Sequence, residues 1–188
     1  MSITHRLFPK TLYQEDNLLL DMLPTYKEFC TNKLKELGVS QNQMLNVPST
    51  HKVFDQFFLF PELNELVGHI CVHASQYAQQ LGYTCDLTIK NMWVNHSKKG
   101  SYIFPHVHPG YLISGAFYID CTEKDNITFF DNPSDITGLR PQQYNELNYE
   151  YMQIPCVPGR LLLFKSNLLH GTYAQQSENK ITVSFNIG

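Results

Sequence analysis

The strongest constraint on the fold is a series of seven short runs, rich in β-branched and aromatic residues, that fill the second half of the chain. Turn-forming sequences such as Pro109-Gly110 and Pro158-Gly159 separate these runs. Short extended runs at this spacing predict the strands of an antiparallel sandwich or barrel. The predicted strands are Asp86–Asn95, Tyr102–His108, Leu112–Asp120, Asn126–Phe130, Glu150–Pro155, Arg160–Lys165 and Lys180–Ile187.

The first half of the chain has the spacing of helices instead. Apolar residues recur at steps of three and four from Glu15 to Gly38 and again from Glu62 to Leu81, which predicts two helices with one buried face each. Pro24 interrupts the first pattern, so this helix is expected to begin near Pro24 or to kink there. We expect the two helices to cover one face of the β structure.

Composition excludes several classes of protein. The chain has 188 residues and a formal net charge of −3 without a basic run, which argues against a nucleic-acid-binding protein. No apolar stretch is long enough to span a bilayer, and residues 1–10 lack a signal-peptide core, so a cytoplasmic location is predicted. The five cysteines never occur as Cys-x-x-Cys, which argues against a thiolate zinc site.

His106-Val107-His108 is the first candidate for metal chemistry. Side chains at i and i+2 of a strand point to the same face, so both imidazoles can ligate one ion. Pro109-Gly110 then turns the chain away, which would place the pair at a rim that a ligand can reach. Two surface histidines beside a turn are the alternative interpretation.

His170 and the last predicted strand add to this pattern. His170 follows an apolar strand and a short loop, and Lys180 comes ten residues later. Lys180, Thr182, Ser184 and Asn186 share one face of that strand, while the other face is apolar. A polar face that carries a cation can line a pocket for an anion, but an edge strand with one face in water shows the same pattern.

Together these features resemble the 2-oxoglutarate/Fe(II)-dependent oxygenases, and among them a small branch with a His-x-His-Pro motif. In this superfamily a His-x-Asp/Glu pair and a distant His hold the iron. A basic residue about ten positions after that His, with a hydroxyl residue two further on, binds the distal carboxylate of 2-oxoglutarate. The resemblance covers half the chain, and its motifs are Trp93-Val94-Asn95, His106-Val107-His108-Pro109, Ser114-Gly115-Ala116-Phe117-Tyr118, Phe129-Phe130-Asp131-Asn132-Pro133, Pro158-Gly159, His170 and Ser184-Phe185-Asn186.

The resemblance implies a mainly β fold. Residues 85–188 would form a double-stranded β-helix core, a jelly-roll of the cupin type, flanked by two main helices from the N-terminal residues 1–84. All 188 residues would then form a single domain. Residues 1–60 are candidates for a cap, a substrate-recognition element or a contact in a homodimer.

The resemblance also implies a metal site. His106, His108 and His170 would act as the catalytic residues that ligate Fe(II). His108 stands where the superfamily has an acidic residue, which leaves the site one charge more positive. Asp131 is the alternative carboxylate ligand, with only one of His106 and His108 then ligating.

The co-substrate site follows from the same resemblance. Lys180 stands where most members have Arg, and it can pair with a carboxylate as a point charge. Lys180 with Thr182 would bind the 5-carboxylate of 2-oxoglutarate, and the further candidates for co-substrate binding are Ser184, Tyr118 and Asn95.

The implied activity is that of an Fe(II)- and 2-oxoglutarate-dependent dioxygenase. As a hydroxylase it would use O2 to oxidise a C–H bond of a small molecule or a protein side chain, with release of succinate and CO2. One alternative is a three-His cupin-type dioxygenase that needs no 2-oxoglutarate, and another is a non-enzymatic β-sandwich binding module.

Overall fold

The computed structural model describes residues 2–4, 9–39, 41–42, 47–131, 142–145 and 147–188. Its helices are α1 (Leu23–Glu36) and α2 (Asn64–Gln80), with the 3₁₀ turns Phe57–Leu59 and Pro61–Leu63 before α2. Its strands are β1 (Leu12–Glu15), β2 (Gln41–Asn42), β3 (Val47–Pro48), β4 (Ile89–Ser97), β5 (Ile103–His106), β6 (Ile113–Asp120), β7 (Asn126–Phe130), β8 (Tyr151–Pro155), β9 (Leu161–Lys165), β10 (His170–Thr172) and β11 (Lys180–Ile187).

Two antiparallel sheets form the body of the fold. One has the order β1-β9-β6-β11-β4 and the other has the order β5-β10-β7-β8, while β2 and β3 form a two-stranded sheet. The chain crosses between the two larger sheets repeatedly from β4 to β11, as in a jelly-roll. The predicted mainly β, jelly-roll fold is confirmed, and each of the seven predicted strands is present with small changes at its ends.

The five-stranded sheet is buried on both faces. Alternate residues of β6 divide between these faces: Phe117 packs toward the helices, whereas Ala116 and Tyr118 belong to the core between the sheets. Alternate residues of β9 also face opposite sides of the sheet. Because both sides are buried, its sequence is an unbroken apolar run. The helices cover one face, as predicted, through a cluster that includes Tyr26, Cys30, Leu66, Ile70, Phe117, Val183 and Phe185.

The N-terminal boundary of α1 differs from the prediction. The helix begins at Leu23, with Pro24 in its first turn, where the missing N–H of proline costs no hydrogen bond. Glu15, where the predicted helix started, instead ends β1, which pairs with β9. Arg160 donates two hydrogen bonds to the Asp16 carboxylate, at 2.6 and 3.0 Å, and so fixes the chain just after β1.

The position of β11 decides between the two interpretations of its polar face. This strand lies between β6 and β4, so the edge-strand alternative is wrong. Lys180, Thr182 and Asn186 are all buried. The polar face therefore looks into the interior of the fold rather than into water.

The described part of the chain has no helix with the length and apolar character needed to cross a membrane.

Replacing Gly171 with Ala should destabilise the protein. The new Cβ would lie 2.6 Å from the carbonyl oxygen of Ile103 and 3.0 Å from the nitrogen of Pro105, and neither backbone atom can rotate away. We expect a loss of about 1–3 kcal/mol in the free energy of unfolding, measured by urea denaturation. Gly68→Ala is the control, because nothing lies within 4 Å of its Cβ position in α2 and the change should add about 0.5–1 kcal/mol. Equal stability of the two variants would contradict the close approach of β10 to β5.

Candidate metal centre

Strand β10 brings His170 beside His106. It lies between β5 and β7, and its register places His170 directly opposite His106 on one side and Phe129 on the other. Directly opposite residues of antiparallel strands have Cβ atoms about 4.5–5.5 Å apart. The two imidazole rings accordingly lie 4.4 Å apart, centroid to centroid.

His108 joins this pair from a turn, because β5 ends at His106. Its backbone N–H donates to the carbonyl oxygen of Ser166 at 2.8 Å, and Gly110 in the following turn has φ 92°, which favours glycine. The His108 ring lies 4.9 Å from that of His106 and 5.1 Å from that of His170. One nitrogen from each of the three rings lies within 4.8 Å of the others, so the structure brings all three predicted histidines together.

Two of the rings are already oriented for a metal. The Nδ1–H groups of His106 and His170 donate to the carbonyl oxygens of Phe104 and Leu168, each at 2.8 Å. Each ring therefore keeps the lone pair of Nε2 free for a ligand bond. Burial lowers the pKa of His170 to about 3 and that of His108 to about 4, so both rings are neutral near pH 7, as metal binding requires.

A single cavity joins these histidines to the polar face of β11. It encloses about 660 Å³, including the part that is open to solvent. Its apolar wall includes Trp93, Ile103, Ile127 and Phe164. Of the nine residues that the sequence nominated for metal and co-substrate, all but Asp131 line it: His106, His108, His170, Lys180, Thr182, Ser184, Tyr118 and Asn95.

The polar face of β11 extends from the histidines to Lys180. Trp93 stacks on the His108 ring at 5.9 Å and is the register partner of Ser184, so Ser184 lies near the imidazoles. At about 3.3 Å per residue, Lys180 begins the strand about 13 Å farther along the backbone. The long lysine side chain projects into the same cavity.

Several polar atoms in this cavity have no partner among the residues that the structure describes. The Lys180 side chain is only 5% exposed, and its ammonium group makes no hydrogen bond or ion pair with any residue that the structure describes. The buried atoms Thr182 Oγ1 and Asn95 Oδ1 also lack partners, while the Asn95 amide donates to Ser184 Oγ at 3.1 Å. Burial raises the pKa of Tyr118, which keeps its phenol protonated and able to donate. A buried cation with hydroxyl groups beside it suits an anionic ligand.

Asp131, the alternative ligand in the sequence prediction, is not part of the histidine cluster. It follows the last residue of β7, and its exposed carboxylate pairs with Lys10 at the surface. The group of side chains that could hold a metal ion, among the described residues, is His106, His108 and His170. The structure therefore does not bring Asp131 to the histidine cluster. Of the other residues named in the sequence analysis, Asn132 and Pro133 lie outside the described residues.

The sequence analysis missed His51. Its ring packs against Trp93 at 4.5 Å, although the two residues are far apart in the chain. The segment around it runs along β4, where the Thr50 N–H donates to the Val94 carbonyl oxygen at 3.0 Å. No periodicity or motif marks this contact, because the segment is irregular and its neighbours are set by tertiary packing.

Comparison with known proteins identifies a family. A family model described as "Putative 2OG-Fe(II) oxygenase" matches residues 91–186, about half of the chain. A search of curated proteins finds no match.

Solved structures share the fold. A prolyl-4-hydroxylase from Pseudomonas putida has a TM-score of 0.65 and 11% identity over 94% of this chain and 92% of its own. The collagen prolyl hydroxylase of Paramecium Bursaria Chlorella virus-1, solved with 2-oxoglutarate, has a TM-score of 0.61 and 15% identity over 94% of each chain. The epimerase SnoN of nogalamycin biosynthesis, solved with Fe3+ and alpha ketoglutarate, has a TM-score of 0.69 and 13% identity over 95% of this chain and 78% of its own. At identities this low, the likeness shows a shared fold and nothing more.

The stability of the metal-free protein should fall as the pH is lowered below 6.5, the ordinary imidazole pKa, because the pKa of His170 is about 3 in the folded chain. Between these two values the unfolded chain binds more protons than the folded chain, so the free energy of unfolding decreases with falling pH. Above pH 6.5 the contribution of His170 is constant. After chelation of metal, urea denaturation should show that the free energy of unfolding of wild type exceeds that of His170→Asn by less and less as the pH falls from 6.5 toward 3. A difference between the two proteins that does not depend on pH would contradict the lowered pKa of His170.

Proposed function

Because this chain belongs to the 2OG-Fe(II) oxygenase family, we propose that His106, His108 and His170 hold its iron and that Lys180 with Thr182 holds the distal carboxylate of 2-oxoglutarate. The protein is a 2-oxoglutarate- and Fe(II)-dependent dioxygenase, and we propose that it is a hydroxylase. The observation that carries the residue assignment is the single cavity lined by three converging imidazoles and a buried lysine.

The donor set fits a divalent iron. Imidazole nitrogen is a good ligand for iron, and three protein groups leave room for exchangeable ligands. The Nε2 atoms of His106 and His170 are available because both Nδ1–H groups are held by backbone carbonyls. When bound, Fe(II) and 2-oxoglutarate supply the activation of O2 and the oxidation of a C–H bond, with release of succinate and CO2.

Lys180 fits the role of the carboxylate-binding residue. Lys180 is a buried residue in a cavity whose described lining has no Asp or Glu, and a bound carboxylate would supply its counter-charge. The unpartnered hydroxyl of Thr182 can donate to the same carboxylate, and Tyr118 and Ser184 line the same cavity. We propose that Asn95 orients Ser184 through the hydrogen bond between them.

The buried lysine also separates this function from the alternatives. A three-His dioxygenase that needs no keto acid has no use for a cation in its cavity, whereas 2-oxoglutarate needs one. Family membership sets aside the non-enzymatic binding module. The apolar wall formed by Trp93, Ile103 and Phe164 suits the C–H-rich part of a substrate, which we propose to be a small molecule or a protein side chain.

Replacing His170 with Ala should abolish metal-dependent stabilisation. Mn(II), used as an inert substitute for Fe(II), should raise the melting temperature of wild type, since a ligand at one hundred times its Kd stabilises a protein by about 2.7 kcal/mol. The variant should show no such rise, because it lacks one of the three clustered imidazoles. His69→Ala, on α2 and outside the cavity, is the control and should respond to Mn(II) as wild type does. A full response in His170→Ala would refute the assignment.

Replacing Lys180 with Met should abolish 2-oxoglutarate turnover and spare the metal site. Fe(II) and 2-oxoglutarate are added without oxygen, air is then admitted, and succinate is measured. Wild type should release succinate, while the variant should release none and should still bind Mn(II), because only the carboxylate-binding cation is lost. Lys90→Met changes an exposed lysine of β4 and serves as the control. Normal succinate release by Lys180→Met would show that the distal carboxylate binds elsewhere.

A further inference from the structure

His108 lacks the support that the other two imidazoles have. A histidine that ligates a metal through one nitrogen usually donates its second N–H to a fixed acceptor, which sets the ring orientation. For His106 and His170 this acceptor is a backbone carbonyl oxygen. For His108 the buried Nε2 has no hydrogen-bond partner among the described residues. A carboxylate in the place of His108 would need no such acceptor, but an imidazole does.

A buried polar network lies directly beside this ring. The carbonyl oxygen of Ser166 accepts from the His108 backbone, and the Ser166 hydroxyl is 2.8 Å from that of Ser114. Ser114 in turn donates to Asn186 Oδ1 at 2.6 Å. Asn186 completes the network by donating from Nδ2 to Asn91 Oδ1 at 2.8 Å. Ser114, Ser166, Asn91 and Asn186 are all buried. Burying four polar side chains costs more free energy than burying apolar ones would.

These contacts fix the orientation of the Asn186 amide. Ser114 and Asn91 are its register partners on β6 and β4, so the side chain is held from both sides. The donor from Ser114 and the acceptor on Asn91 determine which end of the amide is oxygen and which is nitrogen. Burial lowers the pKa of His108, and the nearby Asn186 side chain opposes part of this shift. Asn186 therefore offers His108 a fixed neutral acceptor.

We propose that Asn186 is the positioning residue of His108: its side-chain oxygen accepts the N–H of the imidazole whose other nitrogen ligates the metal. This inference rests on the proposed function, since it requires His108 to be a ligand. It assigns to the last polar residue of β11 a role that differs from the co-substrate role of Lys180 and Thr182 on the same face. The serines and Asn91 then serve to hold the amide in place.

Asn186→Leu tests the proposal, because it keeps the approximate volume and removes the acceptor. Co(II) is the probe, since its affinity and its visible spectrum both report on the ligands. The variant should bind Co(II) about 10- to 100-fold more weakly than wild type, with shifted absorption bands. Asn186→Asp, which keeps an acceptor oxygen, should recover most of the affinity. Asn91→Leu disturbs the same network while leaving the acceptor, and it should cost less affinity.

A double-mutant cycle separates ring positioning from a general structural role. With Asp in place of His108 there is no ring to position, so Asn186→Leu should cost much less Co(II) affinity in His108→Asp than in wild type. Wild-type affinity and spectrum in Asn186→Leu, or equal losses in Asn186→Leu and Asn91→Leu, would overturn the proposal. If His108→Asp does not bind Co(II), the Co(II) spectra of the single variants test the proposal instead. Shifted bands in Asn186→Leu that return to the wild-type positions in Asn186→Asp would support it. Failure of wild type itself to bind Co(II) would instead refute the proposed metal site.

Discussion

The antiparallel pairing of β10 with β5 is the contact on which the candidate site depends. It places His170 opposite His106, and their separation is then set by the backbone rather than by flexible side chains. Gly171 makes the pairing possible, because any side chain there would collide with the backbone of residues 103–105. A one-residue slip of β10 would turn His170 to the opposite face of the sheet and disperse the cluster.

The five-stranded sheet supplies the other half of the site, because one face of β11 packs against the helices and the other lines the cavity. On β11, Ile181, Val183 and Phe185 pack toward the helices, so the strand is held by apolar contacts on one side only. The opposite face can then carry Lys180 and Thr182 into the cavity without loss of the strand. The apolar contacts of β11 with the helices therefore stabilise a strand whose inner face is polar, and burial on one side offsets the cost of polar burial on the other.

Much of this arrangement could be predicted from the sequence, because it depends on local periodicity. Period-two alternation in residues 180–187 identified the polar face, and the spacing of His170 and Lys180 fitted a known family. Features set by tertiary contacts could not be predicted. Alternation alone cannot distinguish a central strand such as β11 from an edge strand. The helical spacing around Glu15 did not show that the segment ending there pairs with β9. No local pattern predicts the contact between His51 and Trp93. The network around Asn186 joins four strand ends, so it appears only when their register is known.

In the proposed metal site His108 stands in the place of an acidic ligand, which would change the charge balance of the whole cavity. No Asp or Glu lies among the described residues that line it, so Lys180 and a bound divalent metal would be its formal charges. Charges in a cavity with apolar walls interact more strongly than they do in water. The two carboxylates of 2-oxoglutarate are then the groups that balance these charges, so metal and co-substrate should strengthen each other's binding. A neutral acceptor at Asn186 suits this arrangement, because it can orient His108 without adding a negative charge that would compete with the co-substrate.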